Sequence, residues 1–377
     1  MSVDEALPPI TLPSGDTMRA ATRYADVRQV MSDPRFTREL HRAADGPRIV
    51  RGNDISDDRD SLLNMDPPRH TRLRRIVAGA FSPRRIAGWR PRITEVTEQL
   101  LGEMVTGGAP ADLVTAFAFP LPIRIICELL GVPHEDRGRF RAWSSAALTV
   151  STADAGQRVT ARREFRAYVE ELLAERRKTP GDALIDALLE SRDGSDVLTE
   201  RELVSLTVNL INAGHETTAN LIGCGVFTML AEGHYGSLAR DTSLLPAAIE
   251  EILRHDTPAG YGLPRMATED VELPSGTIRR GETVLPLLAI ANRDPEPFPE
   301  PDRFDLHRDD GAHLTFGHGP HFCIGAGLAR LEVEVALRVL TRELPGLALA
   351  VPPDDVPWAK GGMVQGPKRL PVTWPQT

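Results

Sequence analysis

Cys323 is one of three cysteines in the chain, and its surroundings suit chemistry better than packing. It lies in FGHGPHFCIG, Phe316 to Gly325, with glycines at 317, 319 and 325. An amphipathic helical pattern, IGAGLARLEVEVALRVL, follows from Ile324 to Leu340. A cysteine at a helix N-terminus meets free backbone N–H groups and the positive end of the helix dipole, and both stabilise a thiolate and lower its pKa. Glycines permit a tight turn and the close approach of a flat, bulky group. Three plainer readings compete. Cys323 could be a small buried residue beside a helix. It could join His313, His318 and His321 in a zinc site, but zinc sites pair ligands from two short clusters and no partner cluster exists. It could form a nucleophilic Cys–His pair. The glycine spacing suits a thiolate offered to a heme iron better than any of these.

Two further sets of residues carry chemical potential. AGHETT, Ala213 to Thr218, places the Glu216 carboxylate and the Thr217 hydroxyl next to each other in mid-helix, with Gly214 opening a groove on one face. A mid-helix threonine bonds back to the carbonyl one turn earlier, here Ala213, which can bend the helix. The plainer reading is a kinked core helix with a solvated glutamate. The stretch from Pro67 to Thr94 holds eight arginines and no acid in a chain of net charge −9. His70 and Arg74 are four apart and face one way, and so on a helix do Glu251 and Arg254, three apart. Alone, the second pair reads as an exposed ion pair of little worth. Cys127 and Cys224 sit in apolar helical runs and read as packing residues.

These residues need a helix-rich scaffold to meet. The 377 residues are 41% hydrophobic and 26% charged, with no low-complexity tract, and can bury a large core. The negative charge argues against nucleic acid as the main partner. Widely spaced cysteines argue for a reducing cytosol. The sequence shows neither a signal peptide nor an apolar run of membrane-spanning length, so a cytoplasmic protein without membrane attachment is expected. A hairpin is expected at TLPSGDTMRAATRY, turning at Ser14–Gly15, then a short helix from Tyr24 to Met31 ended by Pro34. Glu39 to Met65 is polar and reads as a mobile surface loop. Helical patterns run from Pro68 to Arg254. One of them opens at Thr199 with a capping-box Glu202 and continues to Leu230, about 31 residues or roughly 47 Å. Its largely apolar faces send it through the middle of the molecule. Beyond Pro258 come short strand-like runs, DVELPSGTI, TVLPLLAI and RLPVTW. The expected architecture is mainly α with a minor β part, residues 1–377 forming a single domain.

FGHGPHFCIG matches the F-x-x-G-x-x-x-C-x-G loop of cytochromes P-450 at Phe316, Gly319, Cys323 and Gly325. AGHETT, Glu251-x-x-Arg254 and HTRLRR follow the same family's motifs in the same order, and the chain resembles the soluble actinobacterial type over nearly its whole length. The family carries a further N-terminal segment before the first hairpin, so this chain is short there. The resemblance implies a P-450 fold, a helix-rich domain around a buried heme b (iron protoporphyrin IX) with small β-sheets. It implies Cys323 as the metal ligand, and heme contacts by His70, Arg74, Ala213, Gly214, Arg265, Phe316, Gly317, His321, Cys323 and Gly325. Glu216 and Thr217 would bind dioxygen and deliver protons. Glu251 and Arg254 would lock to Arg303 and hold the heme-binding core.

The implied activity is monooxygenation of an apolar small molecule, by hydroxylation, ring closure or coupling, with a natural-product intermediate as substrate. The sequence has no flavin, nucleotide or iron–sulfur motif. A ferredoxin and an NAD(P)H-dependent ferredoxin reductase would therefore supply electrons, steered by Arg72 and Arg75 if those are not simply solvated. Two alternatives stay open, a heme-thiolate peroxygenase and a non-catalytic heme or ligand-binding protein. The substrate pocket is expected among Ala43–Met65, Ser144–Gln157, Leu210, Ala213, Ala259–Leu263, Leu287–Ile290 and Gly362–Val364, with Tyr261 its notable polar aromatic.

Overall fold

A computed structural model of the chain describes residues 6–43, 46–50, 54–133, 136, 138–139, 143, 155–181, 183–190, 192–193, 196–309, 311–359 and 364–375. Helices make up most of it. Those that frame the site are α1 (Tyr24–Ser32), α2 (Arg69–Ala78), α3 (Arg90–Thr106), α4 (Pro120–Leu130), α5 (Ala155–Lys178), α6 (Glu200–Ala231), α7 (Leu245–His255) and α8 (Ala326–Glu343). Local chemistry marks their ends. Gly131 takes a left-handed φ of 71° just past α4, where a side chain would be strained. Thr199 and Glu202 form the expected capping box at the start of α6, the Glu202 N–H donating to Thr199 Oγ1 and the Thr199 N–H to Glu202 Oε2.

The 32-residue α6 packs on α4, α5, α7 and α8. Close approach rests on missing side chains: a Cβ at Gly225 would come within 2.8 Å of Ile252 on α7. Buried leucines, isoleucines and valines from α3 to α8 form one continuous core around α6. Cys127 is buried within it, and Cys224 is buried with its sulfur toward the Gln365 carbonyl, in keeping with packing roles.

A five-stranded sheet flanks this core. β1 (Pro9–Thr11), β2 (Thr17–Ala21), β3 (Phe36–Thr37), β4 (Arg265–Ala267) and β5 (Thr283–Pro286) run in the order β1-β2-β5-β4-β3. β5 pairs parallel to β2, with Val284 opposite Arg19, and antiparallel to β4, with Val284 opposite Arg265. The β1–β2 hairpin turns at Gly15, whose φ is 88°. Val271–Leu273 and Gly276–Ile278 form a separate hairpin, and Pro371–Thr373 joins a three-stranded sheet. Among the described residues no helix is long and apolar enough to cross a membrane.

The segment expected as a mobile surface loop differs. Its described part holds three 3-10 turns, Leu40–Arg42, Ile55–Asp57 and Leu62–Asn64. Asp54 is buried and accepts from the N–H groups of Ile49, Val50 and Ser56. Asn64 is buried and donates to the carbonyls of Ile55 and Asp58. Polar composition here reflects internal anchoring, because a buried irregular backbone needs side-chain partners.

Candidate functional site

Cys323 stands three residues ahead of α8 in a loop that folds back on itself. Its N–H donates to the Phe316 carbonyl at 2.8 Å, and the Phe322 N–H to that of Gly319 at 3.0 Å. Gly317 and Gly319 have φ of 76° and 72°. A Cβ at Gly319 would come within 2.8 Å of the Met31 carbonyl oxygen, and one at Gly317 within 2.9 Å of Met31 Cε. Both glycines therefore serve the turn and its seat on α1, rather than the open approach expected of Gly317. That approach exists at Gly325, where a Cβ would meet nothing nearer than Cys323 Sγ at 3.9 Å.

The residue is exposed, yet burial pushes its thiol up, so the sulfur lies in a recess and not on the outer surface. The N–H groups of Gly325 and Ala326 and the charges of Arg74 and Arg330 all act to lower it. The helix-terminus effect expected from sequence is thus present but outweighed by desolvation. A bound cation in the recess would reverse that balance. Phe316 carries Arg330 over its ring at 4.7 Å and has the Phe322 ring 6.3 Å away. Arg330 is held by Glu250, which also takes the His313 ring nitrogen at 3.1 Å. Among the described residues no group of three or more His, Cys, Asp or Glu converges to hold a metal, which removes the zinc arrangement among them.

Five cationic or potentially cationic side chains gather beside this loop. α2 supplies His70 and Arg74, the loop supplies His321, the end of edge strand β3 supplies Arg38, and the neighbouring β4 supplies Arg265. The His70 and His321 rings are 4.1 Å apart. Arg74 donates to the Phe322 carbonyl at 2.5 Å. Burial holds Arg265 down to about 10, and burial with the neighbouring Arg265 charge holds Arg38 down to about 9. Burial and Arg74 hold His70 down to about 4, and His321 falls too, from burial and then from Arg265, His70, Arg38 and Arg74. Asp66 faces the group but already accepts from Thr37 and the Arg38 N–H. His70 Nε2 and Arg265 Nε are buried with no hydrogen-bond partner. Buried donors are normally satisfied, and buried cations normally paired. The cluster therefore fits a dianionic group, and the two propionates of a heme whose iron faces Cys323 meet that description. Arg38 was not legible in the sequence. It follows β3 in an ordinary polar stretch, and only the β3–β4 pairing brings it beside Arg265.

On α6, Ala213 is exposed and Thr217 half-buried, while Ile211, His215, Thr218 and Ala219 around them are buried. An exposed alanine in the middle of a central helix looks onto interior open space. Thr217 Oγ1 donates to the Ala213 carbonyl at 2.8 Å, as the sequence implied, and the helix stays α-helical through that turn. Gly214 does not open this space: a Cβ there would come within 2.7 Å of Ile126, so the glycine lets α4 pack on α6. Half-buried Glu216 lies about 100° round the helix from Thr217.

Glu251 and Arg254 form a buried pair, both side chains 2% exposed, with bonds of 2.7 and 2.8 Å. The third member is Arg308, whose Nε reaches Glu251 Oε1 at 3.2 Å. Arg303 was the expected partner. It contributes only its carbonyl, to Arg254 and Arg308, while its 60% exposed guanidinium pairs with Glu300 and Asp305. Arg72, expected to face outward, is bonded to buried Glu202 at the start of α6. Arg75 is exposed, and so are Arg84 and Arg85 on the Pro83–Gly88 helix, whose Ile86 lies against the first turn of α8. Phe322 is 41% exposed.

Of the expected pocket segments, three meet through their backbones. Ala289 N–H donates to the Gly260 carbonyl, and Ala259 forms an antiparallel bridge with Val364. Tyr261 packs on Ile49 and Val50. Residues 144–154 and 362–363 lie outside the described residues.

The family model for cytochrome P450 matches residues 239–358. The mycinamicin IV hydroxylase/epoxidase of Micromonospora griseorubida is 43% identical over 369 residues, 96% of this chain and 91% of that protein. The nocardicin C N-oxygenase of Nocardia uniformis subsp. tsuyamanensis is 43% identical over 97% of this chain and 92% of its own. The crystal structure of the LnmA cytochrome P450 hydroxylase of the leinamycin pathway of Streptomyces atroolivaceus superposes with a TM-score of 0.89 at 43% identity, covering 98% of this chain and 94% of that one. Identity of this order across nearly the whole chain, on the same fold, makes this protein a member of the cytochrome P450 family, a heme b monooxygenase.

Proposed function

We propose that this P450 oxidises a mostly apolar natural-product intermediate in the cytoplasm, with electrons delivered by a ferredoxin and its NAD(P)H-dependent reductase. The relatives named above act on secondary metabolites, and the expected pocket segments are mostly small or aliphatic. The observation that carries the reading is the pair of buried nitrogens without a partner, His70 Nε2 and Arg265 Nε, beside the loop that presents Cys323. Heme held through a cysteine thiolate supplies dioxygen and one-electron chemistry, and the thiolate's electron density favours O–O cleavage.

The chain's own residues do the rest. Cys323 supplies the sulfur, kept ionised by the Gly325 and Ala326 N–H groups once a cation is bound. His70, Arg74, Arg265 and His321 hold the two carboxylates, and charge-assisted bonds there are the strong kind. Ala213 leaves space over the reacting face. Thr217 holds its proton on the Ala213 carbonyl and can release it inward by rotating its hydroxyl. Glu216 would pass protons to that side through water, a general-acid role. Arg75, Arg84 and Arg85, with exposed Phe322, offer an acidic electron carrier a basic surface beside the cysteine loop.

The test is turnover of Thr217→Ala with a ferredoxin and reductase. Electron consumption should continue while product per NAD(P)H falls several-fold. Unchanged product yield per NAD(P)H would remove Thr217 from proton handling, and full turnover of Cys323→Ser would overturn the whole reading.

A further inference from the structure

Asn209 lies one turn before Ala213 and two turns before Thr217, on the same stripe of α6. It is half-buried, and its amide is gripped from two sides. Nδ2 donates to Ser61 Oγ at 2.8 Å and to Ser205 Oγ at 3.4 Å. An asparagine amide can be placed either way round, so its neighbours must decide. Ser205 decides here. Its hydroxyl proton is committed to Asp58 Oδ2 at 2.8 Å, so it meets Asn209 only as an acceptor. Ser61 Oγ accepts the Leu63 N–H at 3.3 Å, closing a 3-10 turn, and its second lone pair can take the amide. The Asn209 N–H₂ group therefore faces Ser61 and Ser205. Its Oδ1 has no donor among the described residues, and it is not among the buried unsatisfied atoms, so it keeps access to solvent.

We propose that Asn209 Oδ1 is a specificity-determining hydrogen-bond acceptor for the substrate, selecting molecules with a hydroxyl or ammonium group set back from the oxidised carbon. The Asp58–Ser205 bond sets the direction of that acceptor, making Asp58 and Ser205 positioning residues. The helix rise places the recognised donor about 6 Å along α6 from Ala213 and about 12 Å from Thr217. In an otherwise apolar cavity one oriented acceptor discriminates strongly, because an ether in place of the alcohol leaves the carbonyl desolvated and unpaired. The inference rests on the P450 reading for the existence of a substrate cavity beside α6, and it adds the chemistry of one wall.

The test is spectral titration of the ferric holoprotein with paired probes, each a bulky alcohol and its methyl ether: cyclododecanol, a sterol and a macrolactone alcohol. Wild type should bind the alcohols more tightly, by roughly two- to tenfold. Asn209→Leu, similar in volume, should abolish the preference while heme content and the ferrous–carbon monoxide spectrum stay unchanged. Ser205→Ala should weaken the preference, because the amide can then turn over. An alcohol preference that survives Asn209→Leu, or no preference in wild type for any pair, would overturn the proposal. Because heme content and the carbon monoxide spectrum are read separately, that failure is distinguishable from failure of the P450 reading.

Discussion

The imidazoles of His70 and His321 lie 4.1 Å apart, one carried by α2 and the other by the cysteine loop. Neither ring can be charged cheaply there. Burial disfavours the imidazolium of each, and the guanidinium groups of Arg38, Arg74 and Arg265 add to the cost. The chain therefore concentrates positive charge in a place where, alone, it is destabilising, and a dianionic heme edge would compensate it.

That relationship gives the first prediction. Arg265→Leu should make the apoprotein more stable, by about 1–3 kcal/mol, since it removes a buried charge without adequate partners. The same change should lower heme retention by roughly tenfold, one charge-assisted contact being lost. Thermal unfolding of apoprotein and competition for heme with apomyoglobin read the two effects separately. A destabilised apoprotein with unchanged heme retention would make the cluster purely structural.

A second prediction separates Arg308 from Arg303. Arg308→Met removes a bond to fully buried Glu251 and should cost about 1–3 kcal/mol, visible as a lowered Tm and reduced heme incorporation. Arg303→Met touches an exposed guanidinium and should change stability by no more than about 0.5 kcal/mol. Equal effects would contradict the assignment.

Much of this was legible in the sequence, and the gaps have physical reasons. The α6 boundaries followed from the Thr199–Glu202 capping box, a local signal. The hairpin followed from Ser14–Gly15. Motif spacing located Cys323, Thr217 and the Glu251–Arg254 pair, because each depends on contacts within a turn or a loop. Which arginine completes that pair depends on how an irregular segment folds over α7, and spacing alone pointed to Arg303. Gly214 looked like a groove because its neighbour on α4, Ile126, is far away in sequence. Arg38 and Asn209 were missed for the same reason: their roles arise from β3–β4 pairing and from the 54–65 segment docking on α6.

A third prediction concerns the basic face. Arg72 is engaged with Glu202, so Arg72→Gln should lower stability by about 1–3 kcal/mol and act alike on turnover with any electron source. Arg84→Glu with Arg85→Glu should instead raise the ferredoxin KM several-fold at low salt, with the difference shrinking as salt screens it. Stopped-flow reduction with ferredoxin and with dithionite separates the two. A double variant reduced by ferredoxin at the wild-type rate would place the carrier elsewhere.

The central claim is that Cys323 ligates the heme iron as a thiolate. The absorption spectrum of the reduced holoprotein under carbon monoxide tests it most directly. The account predicts a strongly red-shifted Soret band in wild type, lost in Cys323→His. A Soret band at the position of histidine-ligated heme in the wild-type protein, or a red-shifted band that persists without Cys323, would contradict it.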